Sequence, residues 1–152
     1  MSSVISSASE LAPELREPVY KLLLRLGDDR LVLGHRLSEW CGHGPFIEED
    51  IALANIALDC IGEAKLFLDL AGEIGGEGKS SDELAYFRDE YEFFNVSLNE
   101  QQNGDFAQTI VRQFFYDAFA AMYYDALLKS SFAPLAAVAE KSLKEVKYHL
   151  RH

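Results

Sequence analysis

The sequence predicts an all-α antiparallel helical bundle, and three observations carry that prediction. Apolar residues recur at three- and four-residue steps over long windows, no stretch shows the two-residue alternation of a half-buried strand, and the long helical segments are joined by short loops. With 152 residues, 49% apolar side chains, ten Phe and seven Tyr, the chain has the length and composition for one packed domain, not a disordered polymer.

The N-terminal MSSVISSASE has neither a basic start nor an apolar run, so it is neither a secretory signal nor a transit peptide. Residues 1–12 are expected to form a flexible tail and residues 13–152 the bundle. Pro13 suits the first turn of a helix over residues 13–26. The polar LGDD is expected to break or bend it, after which LVLGHRLSEW resumes the helical pattern until CGHGP ends it. Phe46 to Ala71 forms the most apolar helix, about 36 Å long at 1.5 Å per residue, closed by the glycines of GEIGGEGKS.

Ser80 followed by Glu83 is a capping-box pattern and opens a polar, aromatic-rich helix expected to reach about Leu98. After the loop NEQQNGD, Asp105 can cap a helix from Phe106 to about Lys129. SSFAP then turns the chain, and Pro134 starts a last helix expected to run to His152, with neither a glycine cap nor a proline to stop it. The bundle is therefore expected to be incomplete at its C-terminal end.

A net charge of −11 opposes binding to a phosphate backbone or an anionic surface, which makes nucleic acid and membrane poor candidates as partners. Cys41 and Cys60 are the two cysteines; their separation excludes a C-x-x-C centre or a zinc motif and fits a reducing, cytoplasmic setting. Both read as ordinary buried thiols.

The informative residues are acids placed inside apolar stripes. Phe106, Ile110, Phe114, Asp117, Ala121, Tyr124 and Leu128 follow one another at helical steps, so Asp117 interrupts a core face. Asp59 lies in the most apolar helix with Glu63 one turn later, His35 and Glu39 are four apart on the earlier helix, and Glu145 precedes His149 by one turn. A carboxylate buried alone is costly, so each must be paired, hydrogen-bonded, protonated or bound to metal.

Bundles that hold two irons use a Glu from each of two helices and a Glu-x-x-His from each of the other two. Here Gly62 stands three residues after Asp59 and Tyr148 three after Glu145, so neither acid has its imidazole. Glu39, Asp59, Glu63, Asp117, Glu145 and His149 are thus degenerate di-metal positions at which no metal is expected. The plainer readings are a pairing of Asp117 with Arg112 or Lys129, a cation beside Glu63, a local His35–Glu39 hydrogen bond, and exposed His149 and His152. Lys141, Lys144, Lys147 and Arg151 form a basic row that reads as a solvated face, or as a dock for an acidic or phosphate-bearing partner.

The strings LGDDRLVLGHRLSEWCGHGP, IALANIALDCIGEAKLFL, RDEYEFFNVSLNEQQNGDFAQTIVRQFFYDA and KEVKYHLRH resemble the PaaC-type subunits of bacterial phenylacetyl-CoA epoxidases, from about Tyr20 to His152. The resemblance implies a ferritin-like bundle acting as a non-catalytic partner of a related oxygenase subunit in aerobic phenylacetate breakdown. It also implies that the di-iron centre resides in that partner, that a reductase delivers electrons from NADPH, and that the present chain holds no cofactor of its own. Family members continue past the position of His152, so an apolar patch along Leu143, Val146 and Leu150 is expected to be uncovered and to drive self-association. The alternatives are a ferritin-like di-metal oxidase built on the six residues above, or a small-molecule-binding bundle without redox chemistry.

Overall fold

The computed structural model describes residues 4–75 and 77–152. Among the described residues there are six α-helices: α1 (Pro13–Ser38), α2 (Ile47–Gly75), α3 (Ser81–Tyr86), α4 (Ser97–Glu100), α5 (Phe106–Leu127) and α6 (Ala133–His149). No strand is present among the described residues, and no helix there is long and apolar enough to cross a membrane.

Four long helices make the bundle, and named contacts fix their directions. Gly27 approaches Leu68 and Gly34 approaches Ala57, so α1 and α2 are antiparallel. Arg30 meets Asp117 while Trp40 donates to Thr109, so α1 and α5 are antiparallel as well. It follows that α2 and α5 run parallel, and the segment between them must travel the length of the bundle. One long crossover of this kind is the connection of ferritin-like bundles. The α1–α2 approach depends on small residues: a Cβ at Gly27 would lie 2.7 Å from Leu68 Cδ2.

The core is continuous, with Leu23, Leu33 and Leu37 of α1 against Leu53, Phe67 and Leu68 of α2, and Tyr116, Ala139 and Val146 closing it from α5 and α6. Leu143 and Val146 belong to this core and Leu150 is half-buried against it, so the expected apolar patch on α6 is not an exposed surface. Exposed apolar side chains lie instead along α5.

Residues 4–12, expected as a tail, pack on the bundle. The Ile5 N–H donates to Ser131 O and the Ala133 N–H to Ile5 O, at 2.8 and 2.9 Å, and Leu11 is buried. Residues 1–3 lie outside the described residues.

The LGDD segment does not break α1. Asp28 and Asp29 are buried within the continuous helix because the crossover supplies their partners. Arg88 donates two hydrogen bonds to the Asp28 carboxylate, which also accepts the Phe94 N–H at 2.9 Å. Asp29 Oδ1 accepts the Val96 N–H at 2.7 Å, and Asn99 donates to the Asp29 carbonyl at 3.1 Å.

The same contacts end the helix expected over residues 81–98. Its capping box forms as the sequence predicts, with Ser80 and Glu83 bonding reciprocally, but α3 stops at Tyr86. Backbone N–H groups that a longer helix would use internally are given to Asp28 and Asp29. The Asp105 cap also forms, reciprocally with Gln108. The last helix ends at His149 and does not reach His152.

Candidate functional site

The stripe Leu23, Leu26, Arg30, Leu33, Leu37 places Arg30 on the core face of α1. On α5 Asp117 lies among buried Gln113, Tyr116, Ala120 and Tyr124, whereas Phe114 and Leu128 of the expected core stripe are exposed, because the buried face is rotated toward Tyr116. Arg30 is fully buried. Its Nε lies 2.9 Å from Glu63 Oε2 of α2, and its Nη1 lies 2.9 Å from Asp117 Oδ1 of α5. The guanidinium therefore bridges two acids on two different helices, filling the space between them with its own positive charge.

Aromatic and polar groups complete its surroundings. Arg30 Nε also donates to the Tyr124 hydroxyl at 3.1 Å, and that hydroxyl donates to Glu63 Oε2 at 3.2 Å. The Tyr116 ring lies 4.8 Å from the guanidinium carbon, a cation–π contact in a desolvated setting. Gln113, one turn before Asp117, donates to Asp117 Oδ2 at 2.6 Å.

His149 joins from α6. Contrary to the expectation of an exposed terminal histidine, it is buried, with Nε2 3.1 Å from Asp59 Oδ2 and Nδ1 3.6 Å from Asp117 Oδ2. The second distance is an ion-pair contact longer than a hydrogen bond. Burial disfavours the imidazolium, but the carboxylates of Asp117 and Asp59 outweigh it and raise the His149 pKa. A charged His149 then ties α6 to α2 and α5.

The acids respond to the same balance. Burial pushes Glu63 up to about 7, against the pull of Arg30 and His149. Burial acts on Asp117 too, yet His149, Arg30 and the Gln113 amide together hold its carboxyl below the ordinary range. Cys60 lies with Sγ 3.7 Å from Arg30 Nη1, and burial raises its thiol pKa well above the usual range, so it is no nucleophile.

Of the six expected positions, the structure brings together Asp59, Glu63, Asp117 and His149. Glu145 stands half-buried at the edge, raised chiefly by burial and then by the nearby Asp59. Glu39 is elsewhere, exposed at the end of α1, where it accepts from Arg36 at 3.0 Å and Asn103 at 2.9 Å. His35 does not bond to Glu39; its ring stacks on Tyr86.

Asp117 pairs with neither Arg112 nor Lys129: Arg112 donates to the Gln101 carbonyl and to Asn103. Cys41 is exposed, not buried. His152 is exposed as expected and lies 2.9 Å from Glu49. The basic row of α6 is exposed throughout. Sequence reasoning missed Arg30, Gln113, Tyr116 and Tyr124, although the α1 stripe that contains Arg30 is visible in the sequence.

The residues do not fit the paired metal centre of ferritin-like oxidases. A metal ion needs the deprotonated oxygens of Glu63 and Asp117 facing an open space, whereas the Arg30 guanidinium occupies the space between them and supplies positive charge there. Among the described residues, no three His, Cys, Asp or Glu side chains gather into a group that could hold a metal. The arrangement joins four helices through one buried charge network, and that is a structural capacity.

Comparison with known proteins places the chain in a family. The family model described as phenylacetic acid catabolic protein matches residues 1–152. The C subunit of the 1,2-phenylacetyl-CoA epoxidase from Escherichia coli K12 is 53% identical over 128 residues, which cover 84% of this chain and 51% of that protein. The chain thus spans about half the length of the curated relative it matches.

Proposed function

The chain belongs to the phenylacetic acid catabolic protein family, and from that premise we propose that it is a non-catalytic, structural subunit of a phenylacetyl-CoA epoxidase. It supports a di-iron oxygenase subunit during aerobic, cytoplasmic breakdown of phenylacetate. In this reading the iron belongs to the oxygenase subunit, electrons reach it from NADPH through a reductase, and this chain contributes no cofactor.

The observation that carries the reading is the Arg30 guanidinium held between Glu63 and Asp117. A catalytic bundle keeps an exchangeable cation with open positions between its acids; here the cation is covalently part of α1 and stands within 2.9 Å of both acids. Arg30, with His149, fixes the positions of α1, α2, α5 and α6, giving the partner a rigid surface to pack against. Asp59 serves this by holding the imidazole of His149.

Asp59→Asn, assayed with the oxygenase subunit and reductase, tests the proposal. The expected result is a less stable chain and weaker assembly, with turnover per assembled complex unchanged. A loss of turnover of tenfold or more in fully assembled complex contradicts it and points to a catalytic role for this bundle.

A further inference from the structure

Five large apolar residues of α5 face away from the bundle. Val111, Phe114, Phe115, Phe119 and Met122 are 50, 55, 59, 46 and 71% exposed. At 3.6 residues per turn they fall, with Ala107, Ala118 and Ala126, on one arc of about 140°. Asp125, near one end, is the one charged residue on that arc. Beside its other end lies an open notch of about 620 Å³, lined in part by Leu98, Gln108, Val111 and Phe115.

We propose that this face is the contact between two copies of the chain, paired through their α5 helices in an antiparallel two-fold arrangement. The area fits. The five side chains expose about 500 Å², near the top of what monomeric proteins leave in one patch. Counted on both copies, and with Leu98 at the rim, it reaches about 1,000 to 1,200 Å², the lower bound of specific interfaces.

Self-complementarity selects a second copy over an unrelated helix. A two-fold axis between Ala118 and Phe119 sets Phe115 opposite Met122 of the second copy and Ala118 opposite its Phe119. Aromatic ring then meets thioether, and large meets small, twice by symmetry. Met122 and Ala126 of the second copy fall at the notch. The two Asp125 side chains lie about 20 Å apart along the pair, beyond the range of strong repulsion at physiological salt. Because each chain carries a net charge of −11, pairing requires a face nearly free of charge, and this face is one.

Sedimentation velocity on the 152-residue chain, from low to several hundred micromolar, tests the proposal. A concentration-dependent dimer is expected. Phe115→Lys and Met122→Lys should each raise its dissociation constant at least about 100-fold, as loss of a central anchor does, with unchanged helical circular dichroism. Both side chains are exposed, so folding is not at stake, and Lys lowers the net negative charge, so a lost dimer cannot be blamed on added repulsion. Leu58→Lys, at an exposed apolar position on α2, should leave the dimer intact. A monomer throughout the range overturns the proposal, as does a dimer insensitive to Phe115→Lys or one disrupted equally by Leu58→Lys. It is also overturned if the chain stays monomeric and Phe115→Lys instead abolishes binding to the oxygenase subunit.

Discussion

Arg30 Nη1 and Asp117 Oδ1 meet at 2.9 Å across 87 residues of sequence, and neither side chain is more than 1% exposed. Removing one partner of such a pair leaves the other charge buried without compensation. Arg30→Ala is therefore expected to cost about 3–5 kcal/mol in urea unfolding. Restoring neutrality should recover much of that loss, so Arg30→Met combined with Glu63→Gln and Asp117→Asn is expected to be more stable than Arg30→Ala alone. A triple variant no better than the single one contradicts this picture of the centre.

The centre also sets how stability depends on pH. Glu63 is raised from 4.5 to about 7, and Asp29 from 3.8 to about 6, each chiefly by burial. A raised folded-state pKa contributes stability that is complete below the unfolded value and is lost as pH rises through the folded value. His149, also raised, acts in the same direction above its unfolded value of 6.5. Unfolding free energy is expected to fall as pH rises from about 5 to 8, by at most about 1.4 kcal/mol per pH unit for each group. Asp117, lowered, acts oppositely and below pH 3.8. Glu63→Gln should flatten the slope between pH 5 and 7; an unchanged slope rules out Glu63 as its source.

The crossover is anchored at one buried carboxylate. Asp28 accepts from Arg88 and from the Phe94 N–H, so Asp28→Ala removes both attachments. Native-state hydrogen exchange should show the Phe94 and Val96 amides losing at least about tenfold protection, a change of about 1.4 kcal/mol in local opening, while amides in the middle of α2 are unaffected. Equal loss throughout the bundle would mean that Asp28 supports global folding more than the crossover.

The start of α5 offers a smaller and cleaner test. Asp105 accepts the Gln108 N–H at 2.8 Å while Gln108 bonds back to the Asp105 N–H. Asp105→Ala should cost about 1 kcal/mol, within the 0.5–2 typical of cap removal. An effect near zero would mean that the N-terminal turn of α5 is held by packing alone.

How far the sequence reveals this structure depends on the distance over which each decision is made. The long helices, the Ser80 and Asp105 caps and the buried Glu63 and Asp117 are legible because periodicity and capping are local signals, whereas Asp59, expected within the core, is half-buried at its edge. The continuity of α1 through Asp28 and Asp29 is not, since the groups that make those acids tolerable lie 60 to 70 residues away. The early end of α3 has the same cause. His149 reads as exposed from its place near residue 152, yet its partners on α2 and α5 bury it. Arg30 could have been found: it interrupts a stripe of leucines that are all buried, and an opposite charge on a second core face implies a pair.

Whether Arg30 stands where a ferritin-like oxidase would hold metal is tested most directly by elemental analysis. The chain would be loaded with iron and with manganese under reducing conditions, freed of unbound ions and measured for metal per chain. Well below one metal per chain is expected for either element. About two per chain, the stoichiometry of a paired carboxylate site, would contradict the assignment, because both ions could enter only if the guanidinium left Glu63 and Asp117.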